Sequence, residues 1–149
     1  MGSFEGETQL VKVLLDTNII VDVALERQPF FSNSETVLSL VEQKQIEGYI
    51  SASSFGDLFY IIRKEKGRDL TLEFLRELAT FCQFATVNQA IISMALSTNF
   101  KDFEDAILYG TALLNHLDAI VTRNQKDFPV TTPRILTPEE LIQNLTNSP

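Results

Sequence analysis

Two apolar runs in the chain stop abruptly on polar residues. Residues 11–15 (VKVLL) end on Asp16, and residues 118–122 (DAIVT) run into a polar stretch in the same way. Because neither run alternates between apolar and polar positions, each predicts a buried strand in a parallel sheet that is covered on both faces. Weaker patterns predict three more short strands, at 49–51, 84–87 and 134–136.

Between these strands, apolar residues recur at the spacing of amphipathic helices. Ser32 and Glu35 have the spacing of a capping box, which predicts the start of a helix in a region that ends at Gly48. Ser53 or Ser54 is predicted to cap the next helix, which ends near Gly67. Further helices are predicted after Asp69, over 90–96, over 102–117 with His116 late in the helix, and from Pro138.

Strands that alternate with helices form βαβ units, in which the strands are parallel. The predicted fold class is therefore α/β, a three-layer α/β/α sandwich with a central, mainly parallel sheet. A chain of 149 residues without repeats or a linker segment is expected to form one domain over residues 1–149. The ordered core is expected at about residues 11–145, with frayed ends at the first nine and the last few residues.

Composition and charge argue against several classes of protein and of binding site. The single cysteine, Cys82, excludes an intramolecular disulfide and a cysteine-based zinc site. No apolar stretch approaches the ~20 residues that span a bilayer, and MGSFEGETQL lacks the regions of a secretion signal, so we expect a cytoplasmic protein. The net charge of −8 argues against loose binding to nucleic acid, whereas a carboxylate cluster that holds cations would also make a chain acidic.

Several acids are predicted to meet at the carboxyl edge of the sheet, where open parallel sheets bind their ligands. Asp16 ends the first strand, and Asp57 lies in the first turns of the helix after the strand at 49–51. Asp105 and its neighbour Glu104 open a helix that points to the same edge. Such a cluster needs a compensating charge. Mg²⁺ or Mn²⁺ would supply it, and phosphodiester hydrolysis fits such a site.

Each acid also has a purely structural alternative. Asp16 has the position of a helix or turn cap. Asp57 and Asp105 have that of negative charges at a helix N-terminus, which the helix dipole favours. From spacing alone, both interpretations remain open.

Five segments of the sequence resemble the PIN-domain nuclease family, which includes the toxin ribonucleases of bacterial toxin–antitoxin pairs. They are LLDTNIIVD at 14–22, ISASSFGDLFYIIRK at 50–64, KDFEDAILYGTA at 101–112, IVTRNQKDF at 120–128 and ILTPEEL at 135–141. The resemblance implies an α/β/α sandwich with acids at one end of a parallel sheet. It also implies Mg²⁺ or Mn²⁺ as the cofactor and cleavage of single-stranded RNA.

Residue by residue, the resemblance implies roles for the candidate site residues. The second acid of the family is usually a glutamate, so the matching Asp57 is one methylene shorter. Asp127 is an alternative for the fourth position. The implied catalytic residues are Asp16, Asp57, Asp105 and Asn124, of which the first three are implied metal ligands. The implied helper residues are Thr17, Asn18, Glu104 and Thr122.

The leading hypothesis is a metal-dependent endoribonuclease that cuts single-stranded RNA and is the toxin of a toxin–antitoxin pair. The resemblance further implies a homodimer that is held in check by a small antitoxin protein. Arg123 and Lys126 flank the predicted site and are the candidates for contact with RNA phosphates. The basic run at 63–68 is interpreted as a solvated helix end.

Two other functions are compatible with the sequence. The shortened acid at Asp57 and the acidic net charge also suit a catalytically degenerate PIN fold that binds protein or RNA. An aspartyl-phosphate phosphatase likewise uses an aspartate after a buried strand. Those enzymes need a second aspartate two residues later, where this chain has Asn18.

Overall fold

Five parallel strands form one sheet in the computed structural model, which describes residues 9–146. They are β1 (Lys12–Leu15), β2 (Glu47–Ser51), β3 (Gln83–Ala85), β4 (Ala119–Val121) and β5 (Arg134–Leu136). Their spatial order is β3-β2-β1-β4-β5, and all four neighbouring pairs are parallel. In the central strand β1, Val13 is aligned with Gly48 on β2 and with Ala119 on β4.

Helices connect and cover the strands. Over the described residues they are α1 (Thr17–Ala24), α2 (Phe31–Glu42), α3 (Phe55–Lys66), α4 (Arg68–Leu78), α5 (Gln89–Leu96), α6 (Phe103–Leu114) and α7 (Pro138–Thr146). Short 3₁₀ turns precede α3 and follow β4, at Ala52–Ser54 and Gln125–Asp127. None of the helices in residues 9–146 has the length and apolar character needed to cross a membrane. Most of the chain ends predicted to be frayed, residues 1–8 and 147–149, lies outside the described residues.

The side chains of β1 point alternately into two hydrophobic clusters, one on each face of the sheet. Val13 and Leu15 pack in the larger cluster, with side chains of α1, α2, α3, α4 and α7. Leu14 packs in the smaller cluster with Leu108 of α6, and α5 packs on α6. The predicted α/β/α sandwich is confirmed.

Some predicted element starts are wrong. α1 begins directly after Asp16, as a helix that the hydrophobic pattern did not predict. The capping box is also wrong: α2 begins at Phe31, so Ser32 already lies in the first turn, where its carbonyl accepts a hydrogen bond from Thr36 Oγ1 (2.9 Å). Ser51, rather than Ser53 or Ser54, acts as a cap, since its Oγ accepts a hydrogen bond from the Ser53 amide at the 3₁₀ turn before α3 (3.3 Å).

Two other residues differ from their predicted positions. Gly48 lies inside β2 instead of ending the region before it. His116 is not late in a helix, because α6 ends at Leu114 and His116 follows in the left-handed conformation (φ 57°) that is common just after a helix.

Candidate active site

Asp16 sits where β1 ends, next to β4. Its backbone amide donates to the carbonyl of Val121 (3.0 Å), which extends the sheet by one bond. The residue is in the N-cap position of α1, yet its carboxylate makes no capping hydrogen bond. Asp16 Oδ2 instead accepts a hydrogen bond from Thr122 Oγ1 (2.7 Å) and a longer one from Asn18 Nδ2 (3.4 Å). The carboxylate is therefore oriented by its neighbours and left available to a ligand.

Thr122 and Asn18 support this carboxylate from two sides. Thr122 is fully buried, and its Oγ1 also accepts a hydrogen bond from the backbone amide of Asn124 (3.1 Å). The side-chain carbonyl oxygen of Asn18 is buried and has no hydrogen-bond partner among the described residues. A buried polar atom without a partner costs free energy, so Asn18 Oδ1 needs a donor or a cation that residues 9–146 do not supply.

A pocket of about 260 Å³, which we call the acid pocket, brings four predicted acids together. Asp16, which directly follows β1, lines it and is only 8% exposed. The other acids come from the first turns of two helices that begin at this edge of the sheet. The polar residues that line the acid pocket are Asp16, Thr17, Ser53, Ser54, Asp57, Glu104 and Asp105.

Asp102 caps the start of α6, the helix whose first turn lines this pocket. Its Oδ1 accepts hydrogen bonds from the amides of Glu104 (2.8 Å) and Asp105 (3.1 Å), so it caps the helix. Asp105 is thereby held in the first turn of the helix, beside buried Ala106, and lines the pocket. The structural role thus belongs to Asp102, while Asp105 faces the other acids.

Burial, and for two of them the charges of neighbouring acids, destabilises the charged forms of three acids in the pocket. Burial, followed by the charges of Asp16, Asp102, Asp127 and Glu104, raises the pKa of Asp105 to about 7. The pKa of Glu104 is also raised, by desolvation and then by the charges of Asp57, Asp102 and Asp16. For Asp16, burial raises the pKa more than the Thr122 hydrogen bond, the nearby amides of α1 and the charge of Arg123 lower it. A positive charge in the acid pocket would relieve all three effects.

The donor groups of the acid pocket fit a hard divalent cation. They are carboxylate and hydroxyl oxygens, and such oxygens are what Mg²⁺ and Mn²⁺ prefer. In the described part of the chain, no three histidine, cysteine or acidic side chains stand close enough to form a ready-made metal site. The carboxylates therefore surround the pocket without already converging on one point.

The two candidates for the fourth position occupy different places. Asn124 is exposed and lines neither the acid pocket nor the neighbouring cavity. Asp127 lies with Asp105 in that neighbouring cavity, of about 590 Å³, and its charge contributes to the raised pKa of Asp105. We call this cavity the lysine pocket because Lys101 and Lys126 both line it. The structure thus places Asp127 in a cavity that Asp105 also lines, whereas the side chain of Asn124 lines neither cavity.

Arg123 is engaged elsewhere. Its Nε donates to Asp22 Oδ2 (2.8 Å) and one terminal nitrogen donates to Asp22 Oδ1 (3.2 Å), while the guanidinium carbon lies 3.9 Å from the centre of the Phe30 ring. Asp22 is completely buried and also accepts a hydrogen bond from Ser34 Oγ (3.2 Å). Sequence reasoning missed Asp22, although an acid within the apolar run IIVDVA signals a buried partner.

Sequence reasoning also missed residues that line these cavities. Ser53 and Ser54 were predicted only as caps, but both line the acid pocket. Lys101 precedes α6 by two residues and lines the lysine pocket together with Lys126. Nothing in the local pattern distinguished this lysine from a solvated one.

Comparison with known proteins agrees with this geometry. Ribonuclease VapC1 of Aquifex aeolicus (strain VF5) is 26% identical over 137 residues, which is 89% of this chain and 94% of that protein. A chain of a toxin–antitoxin complex from Klebsiella pneumoniae superposes with a TM-score of 0.65 at 24% identity, over 85% of this chain and 97% of that one. For a chain of DNA-bound VapBC from Salmonella typhimurium the TM-score is 0.65 at 17% identity, over 87% of this chain and 99% of that one. At these identities the two structures establish the shared fold.

The family model of the PIN domain matches residues 12–126. That match contains β1 with Asp16, the helix starts that carry Asp57 and Asp105, and the end of β4 with Thr122. Since the match spans well over half of the 149 residues, and the sheet and its acid-lined edge agree with it, the chain belongs to the PIN domain family.

Proposed function

We propose that the protein is an endoribonuclease that hydrolyses phosphodiester bonds of single-stranded RNA and depends on Mg²⁺ or Mn²⁺. The observation that carries the proposal is the acid pocket: Asp16, Asp57, Glu104 and Asp105 line one cavity, and burial and neighbouring acid charges raise the pKa values of Glu104 and Asp105. Membership of the PIN domain family and similarity to a protein named a ribonuclease support it.

Asp16, Asp57 and Asp105 are the proposed metal ligands. When bound, the cation supplies an activated water and offsets charge that develops on the attacked phosphate. Thr122 holds the Asp16 carboxylate in one orientation through its 2.7 Å hydrogen bond. Asp105, with a pKa of about 7, loses its proton readily near neutral pH, so that its carboxylate is available as a ligand.

The remaining predicted residues have supporting roles in this proposal. Asp57 is exposed and one methylene shorter than glutamate, so we expect it to contribute least of the three proposed ligands. Thr17 and Asn18 steady Asp16, and Glu104 assists from the start of α6. Asp127 completes the site in preference to Asn124, because it shares a cavity with Asp105.

Lys126 and Lys101 are the proposed contacts to the RNA backbone. Among residues 9–146, neither lysine forms an ion pair, although Asp102, Asp105 and Asp127 line the same cavity. Cations that remain available beside an acidic site reduce the repulsion between a net negative protein and RNA.

A cleavage assay on end-labelled single-stranded RNA tests the proposal. We expect cutting with Mn²⁺ or Mg²⁺, none with EDTA, and a loss of at least roughly 100-fold for Asp16→Asn, since weakening even a group that supports a metal ligand commonly costs that much. Asp69→Asn is the matched control, because Asp69 is 95% exposed and pairs only with Arg68 in the described structure.

If the wild type never cuts RNA with either metal, the protein is better described as a degenerate PIN fold that binds protein or RNA. Cutting that survives both EDTA and Asp16→Asn would show that the acid pocket is not the catalytic site. Circular dichroism of each variant checks that a loss of cutting is not a loss of folding.

We also propose that the protein is the toxin of a toxin–antitoxin pair, forms a homodimer and acts in the cytoplasm, where its RNA substrate lies. The similarity to a chain of the Klebsiella pneumoniae toxin–antitoxin complex supports the partner. Co-expression with the product of a neighbouring small gene should yield a complex that no longer cuts RNA, and sedimentation should give twice the 16.8 kDa chain mass. A monomer, or a complex that remains fully active, would contradict these assignments.

A further inference from the structure

A third cavity, of about 250 Å³, lies at the same edge of the sheet as the acid pocket. We call it the Phe30 pocket. It is formed where the turn before α2, the end of β4 and the start of α7 meet, and its lining includes Pro29, Phe30, Asn33, Arg123, Thr137 and Pro138. The proposed cleavage of RNA does not use it.

The Arg123 guanidinium in this pocket is fixed in position. Two of its nitrogens bind the two carboxylate oxygens of Asp22 (2.8 and 3.2 Å), which keeps the guanidinium plane in one orientation. Its carbon lies 3.9 Å from the centre of the Phe30 ring, so the cation is stacked on the aromatic ring. Asp22 is fully buried and its charge offsets that of Arg123. Arg123 is therefore poorly suited to neutralise a phosphate.

The same arrangement suits a flat, uncharged group. Phe30 is 39% exposed, and Pro29 and Pro138 add apolar walls. The pocket also offers the Asn33 amide and the hydroxyl of Thr137, whose Oγ1 accepts a hydrogen bond from the Glu140 amide (3.1 Å) and can still donate one. An unpaired base has an apolar face and polar edges, and proteins commonly bind such bases on aromatic rings and guanidinium planes.

The Phe30 pocket also lies within reach of the acid pocket. Arg123 directly follows Thr122, whose hydroxyl holds Asp16, and consecutive Cα atoms are ~3.8 Å apart. The charge of Arg123 acts on Asp16 as well. The two pockets therefore lie near enough for neighbouring nucleotides of one strand to occupy both.

We propose that the Phe30 pocket binds one unpaired base of the RNA strand that is cut at the acid pocket. This proposal rests on the proposed ribonuclease function. It assigns to Phe30, Arg123 and Asn33 the role of a base subsite, so that cutting depends on the base at one fixed position relative to the cleaved bond.

The test combines variants with RNA that lacks single bases. A short single-stranded RNA with one cutting site is prepared intact and with an abasic nucleotide at each position in turn, and KM and kcat are measured with Mn²⁺. For the wild type, we expect one abasic position to raise KM roughly 10-fold, in line with the usual strength of base–aromatic stacking. Phe30→Leu should raise KM on intact RNA to a similar extent, with little further effect of that abasic position.

Two further variants control for folding and for the loss of an aromatic ring. Phe30→Tyr keeps the ring and should therefore preserve the abasic effect that Phe30→Leu removes. Phe84→Leu changes a phenylalanine that is 53% exposed on the edge strand β3 and lines neither the acid pocket nor the Phe30 pocket, so KM should not change.

The outcomes separate this proposal from the one it rests on. A wild type that neither binds nor cuts RNA overturns the ribonuclease function and the base subsite together. If the wild type cuts RNA but no abasic position raises KM, the base subsite alone is overturned. The same holds if Phe30→Leu and the abasic nucleotide each raise KM and their effects multiply when combined. Unchanged RNA kinetics for Phe30→Leu with weaker binding of the antitoxin would make the pocket a protein contact instead.

Discussion

Asp16 and Asp105 line the same pocket but hold their charges under different constraints. The Asp16 carboxylate accepts a 2.7 Å hydrogen bond from a buried threonine, which favours the charged form and offsets part of the cost of burial. Asp105 lies among four other acids, and its pKa rises to about 7. Near neutral pH its charge therefore depends on whether a cation is present.

This difference predicts how stability depends on pH without metal. The pKa of Asp105 rises from its ordinary value of 3.8 to about 7 in the folded protein. Between these values the folded state binds more protons than the unfolded state, so the free energy of unfolding falls as pH rises and the loss is complete above about pH 7. In EDTA, the melting temperature of the wild type should therefore fall more between about pH 5 and 7.5 than that of Asp105→Asn. Parallel curves for the two proteins would contradict this.

At the residue scale, sequence predicted the acids better than their surroundings. Asp16 and Asp105 were found because each stands at a boundary between an apolar pattern and a polar one. The pairing of Asp22 with Arg123 joins residues 101 positions apart, which no local pattern encodes. Whether Asn124 or Asp127 approaches Asp105 likewise depends on how the loop after β4 turns.

At the scale of elements, α2 and β2 pack with no room for a side chain between them. A Cβ added to Gly48 would lie 2.7 Å from Cγ2 of Val41 on α2. The close contact explains why a glycine, which weakens a strand interior, stands inside β2. It also sets the position of the strand that leads to Ser51 and the start of α3.

Replacing this glycine should loosen that contact. We expect Gly48→Ala to lower the free energy of unfolding by about 1–3 kcal/mol, because overpacking outweighs the gain in backbone propensity. Gly56→Ala is the matched control: no atom lies within 4 Å of the added Cβ, and alanine should stabilise α3 by about 0.5–1 kcal/mol. Urea unfolding of both variants measures the difference. If both variants change the free energy of unfolding equally and in the same direction, the contact between α2 and β2 accommodates the added methyl group without cost.

The helix that sequence reasoning missed has a physical explanation at the same scale. α1 (TNIIVDVA) is eight residues long and rich in isoleucine and valine, which favour strands on local propensity. Its apolar residues are buried against the core, so packing rather than propensity stabilises the helix. By contrast, α6 carries a capping aspartate and β5 has a clear apolar centre, and sequence placed both close to their observed positions.

Over the whole molecule, the order of the strands explains why distant acids meet. The chain builds β2 and β3 on one side of β1 and then β4 and β5 on the other, so the order reverses between β1 and β4. Parallel α/β sheets bind ligands outside their carboxyl edge at such a reversal. The alternation of strands and helices predicted the layers and the parallel sheet. The strand order and the cavities along its edge depend on long-range packing, which the sequence pattern does not carry.

A double-mutant cycle on RNA cleavage tests most directly whether Asp16 and Asp105 hold one cation, because acids that do so act as a unit. Single-turnover rate constants are measured with Mn²⁺ for the wild type, Asp16→Asn, Asp105→Asn and the double variant. We predict that each single substitution removes most of the activity and that the double variant is no slower than the slower single variant. Losses that multiply in the double variant, or wild-type cutting by either single variant, would contradict the account.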